Sequence, residues 1–263
     1  MRAGQYLASM KYSARARWRA DDLDPQGIAT RISELAQRVA HLAPTGERWF
    51  VADRRREKYA DVNGADLVQI VEGNEYPGDF GATNTGCYSV MLFTLASAKG
   101  PPSNQSLGLV MTVGPTPFGS MHFEIGDIAK PPDYSQLGYQ TYRDMIGAVA
   151  EVWPCPWILA TNYRKRPPPV DASVNGPAAP PFGGAWIVYL SAPLAKDLAP
   201  PAELVAEPTA GGGVILSATQ TLLDQSSADD MRRSQLLEAI ARERIGEDPG
   251  RLPASKPARV GPA

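Results

Sequence analysis

The chain has 263 residues, 43% of them hydrophobic and 21% charged, a balance that excludes a mainly disordered polypeptide and allows a sizeable core. No run approaches ~18 uninterrupted apolar residues, so no membrane-spanning helix is expected, and the opening MRAGQYLASMKYS lacks the apolar stretch of a secretory signal. The two cysteines, Cys87 and Cys155, are too few for a disulfide framework and read as reduced thiols in a cytoplasmic protein.

The net charge of −2 conceals an asymmetry. Residues 1–19 carry five basic side chains and no acid, whereas 59–142 carry Lys99 and Lys130 against eight acids, a balance of −6. Such a segment repels nucleic acid and attracts a basic partner. Solvated loops that keep a protein soluble are the plainer account of the same charges.

Residues 1–9 read as an extension. From Met10, Tyr12, Ala14, Ala16 and Trp18 alternate with Lys11, Ser13, Arg15 and Arg17, the period-two pattern of a strand with one apolar face. A helix follows. Asp24 is placed to cap it, Pro25 suits its first turn, and Ile28, Ile32, Leu35, Val39 and Leu42 recur at helical spacing until Pro44. Trp49 and Phe50 form an aromatic anchor before the basic run Arg54, Arg55, Arg56 and Lys58, and Asn63 is the expected cap of a short helix through Leu67, Ile70 and Val71.

Three strands are predicted at 86–97, 106–113 and 118–126, separated by turn signals at Gly100–Asn104 and Gly114–Pro117. Connections this short imply an antiparallel meander. The first of the three is apolar on both faces, which predicts a central, two-sided position. A second helix is expected over 137–153 and a strand over 157–161. The Pro-rich stretch 164–184 reads as a long surface loop. Strand signals resume at 185–190 and 214–219, and a last helix over 227–245 opens with Ser227 and Asp230 spaced as a capping box. The tail from Gly246, with four prolines and few large apolar residues, is expected to be disordered. The fold class is therefore α+β: a mainly antiparallel sheet with three to four helices packed against it, in one domain over 10–245.

Catalysis needs a placed base, nucleophile or metal, and each candidate has a plainer reading. His41 sits at a helix end, where an imidazole favours the last carbonyls. His122-Phe123-Glu124 and Pro154-Cys155-Pro156-Trp157 only superficially match a zinc deaminase, because Trp157 stands where a ligand cysteine is required. Gly211-Gly212-Gly213 precedes a strand rather than a helix, so it is a turn and not a phosphate loop. The acid pairs Asp21-Asp22 and Asp229-Asp230 lie at helix starts, where they offset the macrodipole. The expectation is a protein without catalytic residues, metal or cofactor.

Taken in order, these landmarks resemble one family, immunity protein 52 of bacterial polymorphic toxin systems. The matching features are the strand ending at Trp18, the helix over 25–43, Arg48-Trp49-Phe50 with the basic stretch up to Lys58, and the strands up to Gly126. They continue with the helix ending near Trp153, then Gly183-Gly184-Ala185-Trp186-Ile187-Val188-Tyr189-Leu190-Ser191, then Gly212-Gly213-Val214-Ile215-Leu216 and the final helix. The resemblance covers about 10–245. It implies a cytoplasmic α+β protein that neutralises a toxin by binding it. The implied partner is a secreted effector with a restriction-endonuclease-like nuclease domain, often delivered by type VI secretion.

Two surfaces are candidates for that contact. In the first, the acids Glu72, Glu75, Asp79, Glu124, Asp127 and Asp133, with the aromatics Tyr76, Phe80 and Tyr134, dock onto the basic surface of a nuclease. No membrane contact or direct nucleic-acid binding goes with that reading. In the alternative, a non-catalytic module uses the basic runs 54–58 and 164–166 to bind acidic protein or nucleic acid. How a toxin would be inhibited is not legible: plugging its active site, holding an inactive shape and disturbing its assembly all remain open.

Overall fold

A computed structural model describes residues 10–19, 23–75, 87–100, 102–114, 118–125, 138–164 and 184–246. The expected N-terminal extension, most of the Pro-rich loop and the tail beyond Gly246 lie outside them. Ten strands form one sheet: β1 (Met10–Arg19), β2 (Arg48–Asp53), β3 (Lys58–Asp61), β4 (Tyr88–Leu95), β5 (Leu107–Val113), β6 (Phe118–Ile125), β7 (Trp157–Arg164), β8 (Ala185–Leu190), β9 (Val205–Pro208) and β10 (Val214–Ser217). Their order is β3-β2-β4-β5-β6-β1-β7-β8-β10-β9, and every pairing is antiparallel. The α-helices are α1 (Pro25–Arg38), α2 (Leu67–Gly73), α3 (Tyr139–Val152), the single turn α4 (Ala192–Ala195) and α5 (Ala228–Ile245). The α+β class and the β4–β5–β6 meander are as expected.

Helix α1 forms where Asp24 accepts a hydrogen bond from the Gly27 amide at 2.7 Å, with Pro25 in the first turn. Its apolar face, Ile28, Ile32 and Leu35, is fully buried. The α-helix stops at Arg38, five residues short of the expected end, and a 3-10 turn, Ala40–Leu42, carries the chain to Pro44. The Trp49 indole donates to the Val39 carbonyl at 2.9 Å, an acceptor it shares with the Leu42 amide of the 3-10 turn.

Alternation across the sheet defines two faces. Tyr12, Ala14, Ala16 and Trp18 of β1 point to the face carrying α1 and α3, where the Tyr142 hydroxyl donates to the Tyr12 carbonyl at 2.6 Å. The rings of Tyr12, Tyr142 and Trp186 meet there with centroids 4.9–6.3 Å apart. A register shift beside Ala160 and Thr161 marks a bulge next to Trp186, whose ring joins this layer. The Trp186 indole donates to the Thr221 carbonyl at 2.9 Å. On the opposite face α5 packs against β8, where Val188 and Leu190 are buried, as are Trp157 and Leu159 beside them on β7.

Four local readings are corrected. Residues 48–61, with no strand assignment from sequence, form the hairpin β2–β3 across the turn Arg54–Glu57. Asp66, and not Asn63, caps α2 by accepting from the Gln69 amide at 3.1 Å. The capping box of α5 is half formed: Ser227 accepts from the Asp230 amide, but the Asp230 carboxylate turns to the Asp224 amide at 3.1 Å. Finally, β4 is central by pairing, between β2 and β5, but not covered on both faces, since Met91 and Phe93 are only half-buried. The short elements α4 and β9 carry no strong period and went unassigned from sequence.

Candidate protein-binding face

The helices divide the sheet unequally. Over β8 both faces are covered, one by α3, which also packs on β7, and the other by α5. Over β2 to β6 the helix-bearing face is closed by α1 and α2, and no described helix lies on the other. In β5, Leu107, Leu109, Met111 and Val113 are fully buried while Gly108, Val110 and Thr112 are half-exposed, the pattern of a sheet with one side open.

That open side has an apolar centre. Val110 stands opposite Met91 on one neighbour and His122 on the other. The Tyr59 and Phe93 rings meet edge-on, centroids 5.7 Å apart. Phe50 is fully buried beneath the Arg48 guanidinium, which lies 5.3 Å from its ring centroid. Around this centre lie Thr112, Ser120, His122, Arg15 and the ion pair Arg48–Asp61 at 3.1 Å. A half-exposed apolar patch with a polar margin is the anatomy of a protein contact.

The rows that form this face hold their positions through polar knots at its ends. Glu47 accepts from the hydroxyls of Thr94 at 2.7 Å, Ser103 at 2.8 Å and Ser106 at 3.1 Å, which ties the β4–β5 connection to the start of β2. At the other end Asn74, buried to 1% exposure, accepts from the Arg54 amide and donates to the Ala52 carbonyl. Asn74 thus joins the hairpin to the end of α2. Neither knot is visible in a sequence, because each is assembled from residues 20 to 59 positions apart.

The acidic candidates are not brought together. Glu72 and Glu75 are exposed at the end of α2, beside the start of β4, where Glu75 bridges to Tyr88. Glu124 occupies a register position opposite Gly108 and Ser13, near the far end of the sheet from Tyr88. Tyr76, Asp79, Phe80, Asp127, Asp133 and Tyr134 lie outside the described residues.

Glu72 also has basic neighbours. The Arg55 stem packs on Gly73 and its guanidinium faces the Glu72 carbonyl at 3.5 Å, while Arg56 donates to Gln69 at 2.7 Å. The first basic run is therefore a hairpin turn set against a helix C-terminus, a favourable place for cations. The second run is separate from it, with Arg164 at the opposite end of the sheet, paired with Met10, and 165–166 outside the described residues.

A titratable cluster holds α3 to the edge of the sheet. The Tyr139 hydroxyl donates to Glu207 at 2.9 Å and lies 3.0 Å from the Ser217 hydroxyl. Arg143 grips Glu207 and also Asp144, which is 3.6 Å from His41. Burial pushes the Tyr139 phenol up to about 12. Burial opposes ionisation of Asp144, but hydrogen bonds from Gln140 and Arg143 outweigh it and hold the carboxyl below its ordinary value. Cys87 and Cys155 are both buried and outside any disulfide, and burial raises the pKa of Cys87, the direction that lowers reactivity. Among the described residues no group of three or more His, Cys, Asp or Glu is placed to hold a metal ion, and no helix is long and apolar enough to cross a membrane.

No protein-family model and no curated protein sequence matches this chain. A solved structure, the T6SS protein PA0821 of Pseudomonas aeruginosa, is similar in fold. It is 10% identical, with a TM-score of 0.52, covering 89% of this chain and 76% of the other. The likeness thus spans most of both chains, and at this identity it concerns the fold.

Proposed function

We propose that this chain is an immunity protein of a type VI secretion system, acting in the cytoplasm by binding and neutralising a cognate toxin. The observation that carries the reading is the fold shared with a Pseudomonas aeruginosa protein described as belonging to that system, over most of both chains. The sequence resemblance to immunity protein 52 points the same way, and it suggests a toxin with a restriction-endonuclease-like nuclease domain. An open sheet face with an apolar centre is a physical means of holding a protein partner.

The test is protection. The toxin domain encoded beside this gene is expressed in a bacterium with and without the chain. The proposal expects growth only when both are present, and a stable complex on co-purification. Equal killing in both strains, with no complex, rejects it.

A further inference from the structure

We infer that the open face of β2 to β6, and not the acidic end of α2, is the surface that docks the toxin, and that its occupant presents apolar side chains bordered by carboxylates. The inference rests on the binding role proposed above and adds the surface and the chemistry of the contact. Its first ground is exposure. Met91, Phe93, Val110 and Tyr59 are large apolar side chains, only partly buried on rigid, doubly paired strands or, for Tyr59, on the edge strand beside them, although Phe50 and Leu95 of the same face are fully buried. The same row of the sheet, continued through Arg15, reaches Leu159 and Val188, which are 5% and 0% exposed, Val188 on the strand that α5 packs against. The fold therefore supplies a helical cover for one half of this face and leaves the other half to something outside the described chain.

The second ground is charge. Around the hairpin that borders the face, Arg54 and Lys58 are exposed beside Glu57, while Arg48 is paired with Asp61, and Arg55 and Arg56 turn to α2 and Asp53 on the helix side. Arg15, exposed in the middle of the row, adds a cation on the other side. A cationic margin selects a partner with carboxylates at the matching positions and repels a phosphate-binding cleft, which is itself basic. If the toxin is a nuclease, this face meets it away from the groove that holds DNA. Glu72 and Glu75, on the helix side of the sheet and next to Arg55 and Arg56, would lie outside the contact.

The test uses the full chain and the purified toxin domain encoded by the adjacent gene, made catalytically inactive, in calorimetric titration. Val110→Glu should weaken binding about 30-fold, as expected for truncating or charging the centre of an interface. Val110→Thr should stay within about threefold. Arg54→Glu combined with Lys58→Glu should weaken it about tenfold and flatten its salt dependence. Glu72→Lys combined with Glu75→Lys should change it less than twofold.

Circular dichroism melting of each variant separates lost contact from lost folding, and if Val110→Glu is unfolded, the exposed Arg54/Lys58 pair decides. A wild-type chain that fails to bind the toxin domain overturns the proposed function. Wild-type binding that survives both Val110→Glu and the Arg54/Lys58 reversal, or that is lost on reversing Glu72 and Glu75, overturns the surface alone. A wild-type chain that shifts a DNA duplex on a gel overturns the carboxylate partner.

Discussion

The two halves of this sheet are made of the same kind of strand and end in different surroundings. In β8 all six residues of AWIVYL are buried, because α3 lies on one side and α5 on the other. In β5 burial alternates along LGLVMTV, because only one side is covered. Strands covered on both faces tolerate no polar position, whereas a one-sided sheet keeps every second position for solvent or a partner. Yet Met91, Phe93 and Val110 are apolar at such positions. What separates the halves is whether the apolar surface finds its cover inside the described chain.

The largest test of that contrast places one carboxylate in each half along a single row. Leu159→Glu sets a charge at a buried position and should cost on the order of 4 kcal/mol or prevent folding. Val110→Glu, three strands away and only partly buried, should cost less than about 1 kcal/mol. Urea denaturation of both variants checks the pair, and equal losses would mean that the second face is as closed as the first.

Much of this fold was legible in the sequence, wherever a period and a cap coincide. Helix α1 is announced by Asp24, Pro25 and five apolar residues at helical spacing, and β8 by an unbroken apolar run between glycines and Ser191. The hairpin β2–β3 was hidden because its turn is four charged residues, Arg54 to Glu57, with Glu57 at a φ of +49°, a role usually given to glycine or asparagine. The open face was hidden for another reason. Val90 to Leu95 look like a strand buried on both sides, and only the positions of α1, α2 and α5 reveal that one side has no helix among the described residues. The acidic balance of 59–142 is a matter of composition, and composition does not say that Arg55 reaches the Glu72 carbonyl.

Smaller effects sharpen the same comparison. Tyr142→Phe removes the hydroxyl that ties α3 to β1 at the boundary between the halves, and should cost about 1–2 kcal/mol in the same denaturation assay. Asp66→Ala should destabilise by about 1 kcal/mol through loss of the α2 cap, while Asn63→Ala should stay within about 0.5 kcal/mol. Equal effects would return the cap to Asn63.

The last prediction concerns pH. The Tyr139 phenol, raised by burial from its ordinary 10.0 to about 12, favours the folded state while protonated. Its stabilisation is complete below about pH 10 and disappears as pH climbs through 12. Tyr139→Phe should remove that component of the alkaline loss in a series of melting curves, leaving a shallower decline. An unchanged alkaline profile would show that Tyr139 does not titrate in this window.

The central claim, that a toxin closes the side of the sheet which the described helices leave open, is tested most directly by hydroxyl-radical footprinting of the chain alone and in complex with the inactive toxin domain. Met91, Phe93 and Tyr59 should lose reactivity on complex formation, while exposed side chains along α1 keep theirs. Protection confined to α1 and the end of α2, with Met91 and Phe93 as reactive as before, would contradict it.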